Sequence, residues 1–222
     1  MVEEVERYAD RRDAGRRLVS ALAHLRGAEV TVLGLPCGGV PVAYEVAAAL
    51  RAPLDVIVVR KLGVPGHAEL AMGAVGEDGV HVADEPVLWQ AHVTEPEFRA
   101  VLAREQAAVV RRGRRYRDTV PRLDLTGRTT VIIDDGMATG STARVACAVA
   151  RAHGAARIVL AVPVAAPEAA TWLERDADEV VCPLCPTEFG AVGRWYRDFR
   201  PTSDDEVVDL LSRSRADRLG GP

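Results

Sequence analysis

Cysteine is scarce in this chain. Four in 222 residues are too few to staple a fold of that length with disulfides. Two of them form Cys182-Pro183-Leu184-Cys185. A structural zinc site calls for a second such pair or for histidines at ligand spacing, so one pair is weak support for metal or redox chemistry. No apolar run reaches the ~18 residues of a membrane span, and no membrane partner is expected. The opening residues Met1-Val2-Glu3-Glu4-Val5-Glu6 are acidic where a secretory leader is basic and then apolar, so a cytoplasmic protein is expected. Positive charge is not in excess either. With 28 Lys and Arg against 32 Asp and Glu, the chain lacks the basic balance by which nucleic-acid binders neutralise phosphate, and no nucleic-acid partner is expected. The one dense basic run, Arg111-Arg112-Gly113-Arg114-Arg115-Tyr116-Arg117, reads as a solvated helix end, where the helix dipole favours cations.

What the chain does contain is alternation. Ala14, Leu18, Ala21, Leu22 and Leu25 share one helical face, which Gly27 can end. Glu29 to Leu35 reads as a buried strand, Pro41 to Leu50 as a helix with proline in its first turn, and Leu54 to Val59 as a second strand. Pro96 to Arg112 is a long helix. Thr129 to Ile133, Arg157 to Val162 and Glu179 to Cys182 read as strands, with helices at Ser141 to Ala152 and Pro167 to Glu174. Such alternation predicts an α/β fold with an open, mainly parallel sheet flanked by helices. No repeat or linker interrupts it, so residues 1–222 are read as a single domain. Residues 62–82 are rich in breakers and are expected to form a flexible loop, with short strand-like pieces at Gly73 to Val75 and Val80 to Val82. Residues 182–201 form a second accessory segment.

The most informative stretch is Val131-Ile132-Ile133-Asp134-Asp135-Gly136-Met137-Ala138-Thr139-Gly140-Ser141-Thr142. An apolar strand ends in two carboxylates, and a small-residue turn then opens a helix. Backbone N–H groups of the turn and the helix N-terminus suit a phosphate monoester, and the hydroxyls of Thr139, Ser141 and Thr142 add donors. Two carboxylates at a strand end can accept from vicinal hydroxyls, as on a ribose. An Asp pair after a strand is often solvated loop, and a Thr-Gly-Ser-Thr turn is often a helix cap. Joined in this order, the two halves describe a ribose 5-phosphate binder. Other nucleotide folds fit less well. Gly34-Leu35-Pro36-Cys37-Gly38-Gly39 is followed by Val40-Pro41 where a P-loop needs Lys and Ser or Thr, and no G-x-G-x-x-G follows a strand.

This stretch resembles the signature by which type I phosphoribosyltransferases bind 5-phosphoribosyl-1-pyrophosphate (PRPP). The chain is similar to a branch of uncharacterised bacterial members in Gly34-Leu35-Pro36-x-Gly38-Gly39-Val40, in Val58-Val59-Arg60-Lys61-Leu62 and in Trp195-Tyr196-x-Asp198-Phe199; the likeness runs from about Tyr8 to Leu211. It implies that Asp134 and Asp135 hold the ribose hydroxyls, in part through a Mg²⁺ ion and its water. Gly136, Met137, Ala138, Thr139, Gly140, Ser141 and Thr142 would wrap the 5′-phosphate. Pro36, Cys37, Gly38 and Gly39 would form the pyrophosphate loop, where the family often has a strained or cis peptide and where this branch is expected to carry arginine in place of Cys37. Arg60 and Lys61 would reach the pyrophosphate, and residues 62–82 would close over the site. Residues 182–201, including Cys182, Pro183, Trp195, Tyr196 and Phe199, would form a small C-terminal hood that selects an unknown small-molecule acceptor.

The resemblance also implies a homodimer in nucleotide metabolism. Departure of pyrophosphate leaves oxocarbenium character on the ribose, so the chemistry rests on anion stabilisation, alignment and exclusion of water. Glu69 and His67 are candidates for a general base. The alternative reading is a regulator that senses PRPP with the same fold and catalyses nothing.

Overall fold

The computed structural model describes residues 7–118 and 121–219. The acidic segment Met1 to Glu6, on which the absence of a leader was read, lies outside them. Five aliphatic runs form one parallel sheet: β1 (Val30–Gly34), β2 (Leu54–Val56), β6 (Thr129–Ile133), β7 (Arg157–Ala161) and β8 (Glu179–Val181), in the order β2-β1-β6-β7-β8. Successive side chains in a strand point to opposite faces. Val32, Val131, Ile133 and Val159 therefore enter one core with α1 (Arg11–Ala21), α2 (Gly39–Leu50) and α7 (Asp204–Leu219). Leu33, Ile132, Ile158 and Leu160 enter another with α5 (Ser141–Ala152) and α6 (Pro167–Leu173). Helices cover both faces, as a parallel sheet requires. The expected open parallel sheet flanked by helices is present.

This strand order has a switch point. From β1 the chain crosses to β2 on one side, whereas β6, β7 and β8 proceed to the other. Strands β1 and β6 are neighbours, with Gly34 opposite Ile133, and Leu35 N–H continues the ladder to the Ile133 carbonyl at 2.8 Å. The loops leaving these two strands thus diverge from one crevice, where ligands of open α/β sheets bind.

A second, antiparallel sheet comprises β3 (Val59–Val64), β4 (His67–Gly76) and β5 (His81–Ala83). It occupies most of 62–82, which carries strand structure where the sequence suggested loop, and the short pieces near 73–75 and 80–82 fall in β4 and β5. The glycines here serve close approach. A Cβ on Gly63 would lie 2.7 Å from the Ala68 carbonyl oxygen, and one on Gly73 2.3 Å from that of Val82. Leu54 to Val59, read as one strand, divides between the two sheets. Two helices, α3 (Glu85–Gln90) and α7, were not foreseen, and α4 (Glu95–Arg117) runs past Arg112 through the basic run.

That run corrects the reading of a solvated end. Gly113 and Tyr116 are buried. Arg112 is bonded to Asp204, while Arg117 pairs with the buried Asp55 and with Glu77. The helical period turns these positions inward while Arg111 and Arg114 stay exposed. No helix among the described residues is long and apolar enough to cross a membrane.

Candidate functional site

Strand β6 delivers Asp134 and Asp135 to the switch point. Asp135 N–H donates to Asp134 Oδ1 at 2.8 Å, which orients the first carboxylate. The following turn is pinned from behind: Met137 N–H donates to the Val164 carbonyl at 2.9 Å, and Ala166 N–H to the Met137 carbonyl at 2.8 Å. The Met137 side chain is buried in the core and its backbone N–H and carbonyl are both taken up by this pairing, so Met137 holds the turn in place and the open groups begin at Ala138. Ala138 and Thr139 are exposed, and Thr139 Oγ1 lies 3.3 Å from Ser141 Oγ. Gly140 caps α5 with φ at 76°, and no side chain bonds the first-turn amides. A Cβ there would meet Leu173 Cδ1 at 2.7 Å. Sterics and the left-handed backbone both demand glycine, and the uncapped amides stay open to an anion.

The loop after β1 meets the acid pair directly. A Cβ on Gly38 would lie 2.0 Å from Asp135 Oδ2, and one on Gly39 2.5 Å from the Ile133 carbonyl oxygen. Two glycines at these positions let the Pro36–Gly39 loop lie against the β6 end. The Pro36–Cys37 peptide is cis. Gly38 is the N-cap of α2, and that helix too has no side-chain cap. Two uncapped helix N-termini and two carboxylates therefore sit on adjacent strand ends.

The carboxylates are electrostatically strained. Burial, and then the neighbouring Asp135, hold the Asp134 carboxyl well above the usual carboxylate range. Burial also raises Asp135, opposed by Arg11. Arg11 Nε donates to Asp135 Oδ2 at 2.8 Å, Nη1 donates to the Arg200 carbonyl at 2.7 Å, and the guanidinium stacks 3.9 Å above the Phe199 ring. Sequence reasoning missed Arg11. In Asp10-Arg11-Arg12-Asp13 it is one arginine among several on a polar helix start, and no local pattern sets it apart.

The segment 182–201 returns to the same place. Tyr196 is buried, and its hydroxyl donates to the Asp135 carbonyl. Its ring packs between Tyr8 and Phe199, with centroids 5.5 and 5.0 Å away. Tyr196 thus belongs to the framework under the acid pair. Trp195 is half-buried with Nε1 donating to the Phe189 carbonyl at 3.0 Å, and Val192 covers Gly136. Cys182, partly buried, donates to the Leu184 carbonyl at 3.2 Å, next to Pro183, while Cys185 is exposed. Residues 8 and 9 clasp this segment. Tyr8 N–H donates to the Trp195 carbonyl at 2.9 Å, and the carbonyls of Tyr8 and Ala9 accept from Arg197 and Asp198 at 2.8 and 3.0 Å.

Arg60 and Lys61 are consecutive on β3 and so face opposite sides. Arg60 Nε donates to Glu105 of α4 at 2.6 Å. Lys61, the one lysine in the chain, pairs across the ladder with Ala74, which packs in the core formed with α5. A small cavity joins Ala74 to Ser141 and Val145 at the start of that helix. Lys61 therefore shares the side that carries the phosphate-type turn, and Arg60 does not. The Lys61 ammonium lies 3.5 Å from Glu69, which is fully exposed, and His67 at the start of β4 is exposed too.

Comparison with known proteins agrees with this geometry. A sequence model of the phosphoribosyl transferase domain matches residues 1–198. A Mycobacterium tuberculosis protein named "Putative phosphoribosyl transferase" is 53% identical over 210 residues, covering 95% of this chain and 47% of the relative. The chain thus spans about half the length of the curated relatives it matches. The crystal structure of TT1426 from Thermus thermophilus superposes with a TM-score of 0.80 at 44% identity, covering 93% of this chain and 98% of that one. With the acid pair, the small-residue turn and the Pro36–Gly39 loop gathered at one switch point, the chain belongs to the phosphoribosyl transferase domain family.

Proposed function

We propose that the protein transfers the 5-phosphoribosyl group of PRPP to a small-molecule acceptor and releases pyrophosphate. The carrying observation is the contact of Gly38 with Asp135, which puts the loop suited to pyrophosphate against the acids suited to ribose. On this reading the amides of Ala138 to Thr142 and the hydroxyls of Thr139, Ser141 and Thr142 hold the 5′-phosphate, with Gly136 and Met137 shaping the turn, while Asp134 and Asp135 accept from the ribose 2′- and 3′-hydroxyls. The amides of Cys37 and Gly38 at the α2 N-terminus hold the pyrophosphate. The acceptor lone pair forms the new bond to C1 as the C1–oxygen bond breaks, and that electron pair leaves with the pyrophosphate oxygen. Backbone donors fixed beforehand stabilise the departing charge at no reorganisation cost.

A divalent cation fits the donor set. Two adjacent, largely buried carboxylates raised above their usual range carry negative charge that, among the described residues, is offset by Arg11. Mg²⁺ takes oxygen ligands and keeps water or substrate oxygens when a protein offers one or two carboxylates. Asp134 and Asp135 would hold it, and it would neutralise pyrophosphate charge. Lys61 adds a cation from β3, and the 182–201 segment flanks the side from which an acceptor approaches.

The test is pyrophosphate release with PRPP and Mg²⁺ against a panel of nucleobases and other nitrogen and oxygen nucleophiles. Release that depends on both PRPP and one acceptor class is the expected result. Tight PRPP binding with no release across the panel would assign the protein to PRPP sensing instead. Light scattering of the pure protein checks the homodimer that accompanies this reading.

A further inference from the structure

One side chain reaches the Pro36–Gly39 loop from far away in sequence. Arg112 Nη2 lies 2.6 Å from Cys37 Sγ. The same guanidinium donates to Asp204 Oδ1 from Nη2 at 2.8 Å and from Nε at 3.0 Å, and Nε reaches the Tyr116 hydroxyl at 2.9 Å. Tyr116 and Cys37 also donate to Asp204 Oδ1. Four donors on one carboxylate oxygen saturate it and fix the plane of the guanidinium. Nη1 donates to no protein group among the described residues, and the side chain is 28% exposed.

The loop itself, Pro36-Cys37-Gly38-Gly39, has no charged side chain. Pyrophosphate is a polyanion, and backbone amides supply only partial charge. An anion on the amides of Cys37 and Gly38 lies within roughly two residue spans, ~7 Å, of the Cys37 side chain, inside the ~8 Å screening length of physiological salt. A guanidinium fork with a free edge matches phosphate oxygens in shape as well as charge. Building on the reading above, we propose that Arg112 is the cation of the pyrophosphate loop. It donates through its free edge to a terminal phosphate oxygen, while Asp204 and Tyr116 are positioning residues that hold it beside Cys37. The small thiol at position 37 leaves room for a guanidinium that arrives from α4 rather than from the loop.

A purely mechanical role, bolting α4 to α7, is the competing explanation, and charge relocation separates the two. Calorimetry would measure inorganic pyrophosphate with Mg²⁺, and separately ribose 5-phosphate, on the parent, on Arg112→Met and on Arg112→Met/Cys37→Arg. The expected result is about a tenfold loss of pyrophosphate affinity in the single variant, the ~1.4 kcal/mol of one lost charge contact. Ribose 5-phosphate should bind as before, and the double variant should recover pyrophosphate. Unchanged pyrophosphate affinity, equal loss of both ligands, or no recovery with arginine at position 37 overturns the proposal. If Arg112→Met does not fold, Arg112→Lys decides. It keeps the charge but cannot hold Asp204 and present a free guanidinium edge at once, so pyrophosphate should weaken severalfold while ribose 5-phosphate does not, and unchanged pyrophosphate binding overturns the assignment. A parent protein that binds neither ligand would instead refute the phosphoribosyl transfer reading itself.

Discussion

Arg11 Nε donates to Asp135 Oδ2 across 2.8 Å, joining two side chains 124 positions apart in the chain. Both are nearly buried, at 11% and 14% exposure, so each is the main compensation for the other's charge. Arg11→Met keeps the packing on Phe199 but leaves Asp135 without its cation, and breaking such a pair costs about 3 kcal/mol. The Asp135 carboxyl, already raised by burial, rises further. A raised carboxyl in the folded state favours folding below the unfolded pKa and loses that contribution as pH rises. The deficit should therefore be largest near neutrality and shrink as pH falls through the carboxylate range. Urea unfolding at several pH values checks it; a deficit independent of pH would mean that compensating the Asp135 charge is not what Arg11 contributes.

Asp134 shows the opposite balance, since its carboxyl is held high by burial and by Asp135 without a cation of its own. Its charge costs folding stability at neutral pH, by the same linkage sign. Asp134→Asn retains an oxygen for the Asp135 N–H and should stabilise the ligand-free protein by about 1 kcal/mol. Turnover should fall by about 10²-fold, the cost of losing one site group. Thermal unfolding with and without PRPP and Mg²⁺, together with pyrophosphate release, reads these effects. A variant neither more stable nor weaker in binding would remove Asp134 from the site.

Gly38 and Gly27 make a matched test of why glycine is used. Gly27 has φ at 80° and open space around it, whereas Gly38 has an ordinary helical φ of −63° and no space at all. Gly27→Ala should cost only the ~1 kcal/mol of a left-handed backbone. Gly38→Ala should cost about 1–3 kcal/mol in displaced neighbours and also weaken PRPP binding, because the neighbour it displaces is Asp135. Equal PRPP affinity in both variants would separate the loop from the acid pair.

Strand alternation yields a fourth expectation. Lys61→Ala should lower pyrophosphate release at least ~10-fold more than Arg60→Ala, since a lost transition-state contact appears in turnover. Arg60→Ala should instead appear as a stability loss of about 1 kcal/mol, because it leaves Glu105, which is 11% exposed, with Arg104 as its remaining partner. Steady-state kinetics and unfolding of both variants decide it. Similar turnover losses would mean that both cations reach the leaving group.

The parts of the site legible in the sequence are those whose chemistry is contiguous. Val131 to Thr142 carries strand, acids, turn and helix start in one run, each with its own local preference, and Pro36 to Gly39 does the same on a smaller scale. Arg11, Arg112 and Asp204 were illegible because their partners are set by the packing of helices far apart in sequence. A half-buried arginine looks like a solvated one until α4 and α7 are in place. The β3–β4 hairpin was misread for a different reason. Gly63 and Gly73 look like breakers, yet they are glycine because a neighbouring strand passes too close for a Cβ.

The clasp between residues 8–9 and 195–198 bears on the order in which the protein can be made. The backbone partners of Tyr8 at Trp195 and Arg197 are synthesised nearly a full domain after it. At about 5–20 residues per second that delay is roughly ten to forty seconds. Throughout it Arg11 has no Phe199 to stack on and no Arg200 carbonyl to bond. The central strands can already pair, since β1, β2, β6 and β7 all precede the hood, so a nascent chain would hold an assembled sheet beside an unfinished site. Pulse-labelled, stalled chains ending before and after residue 200 would differ in protease sensitivity around Tyr8, while their core strands would be protected alike.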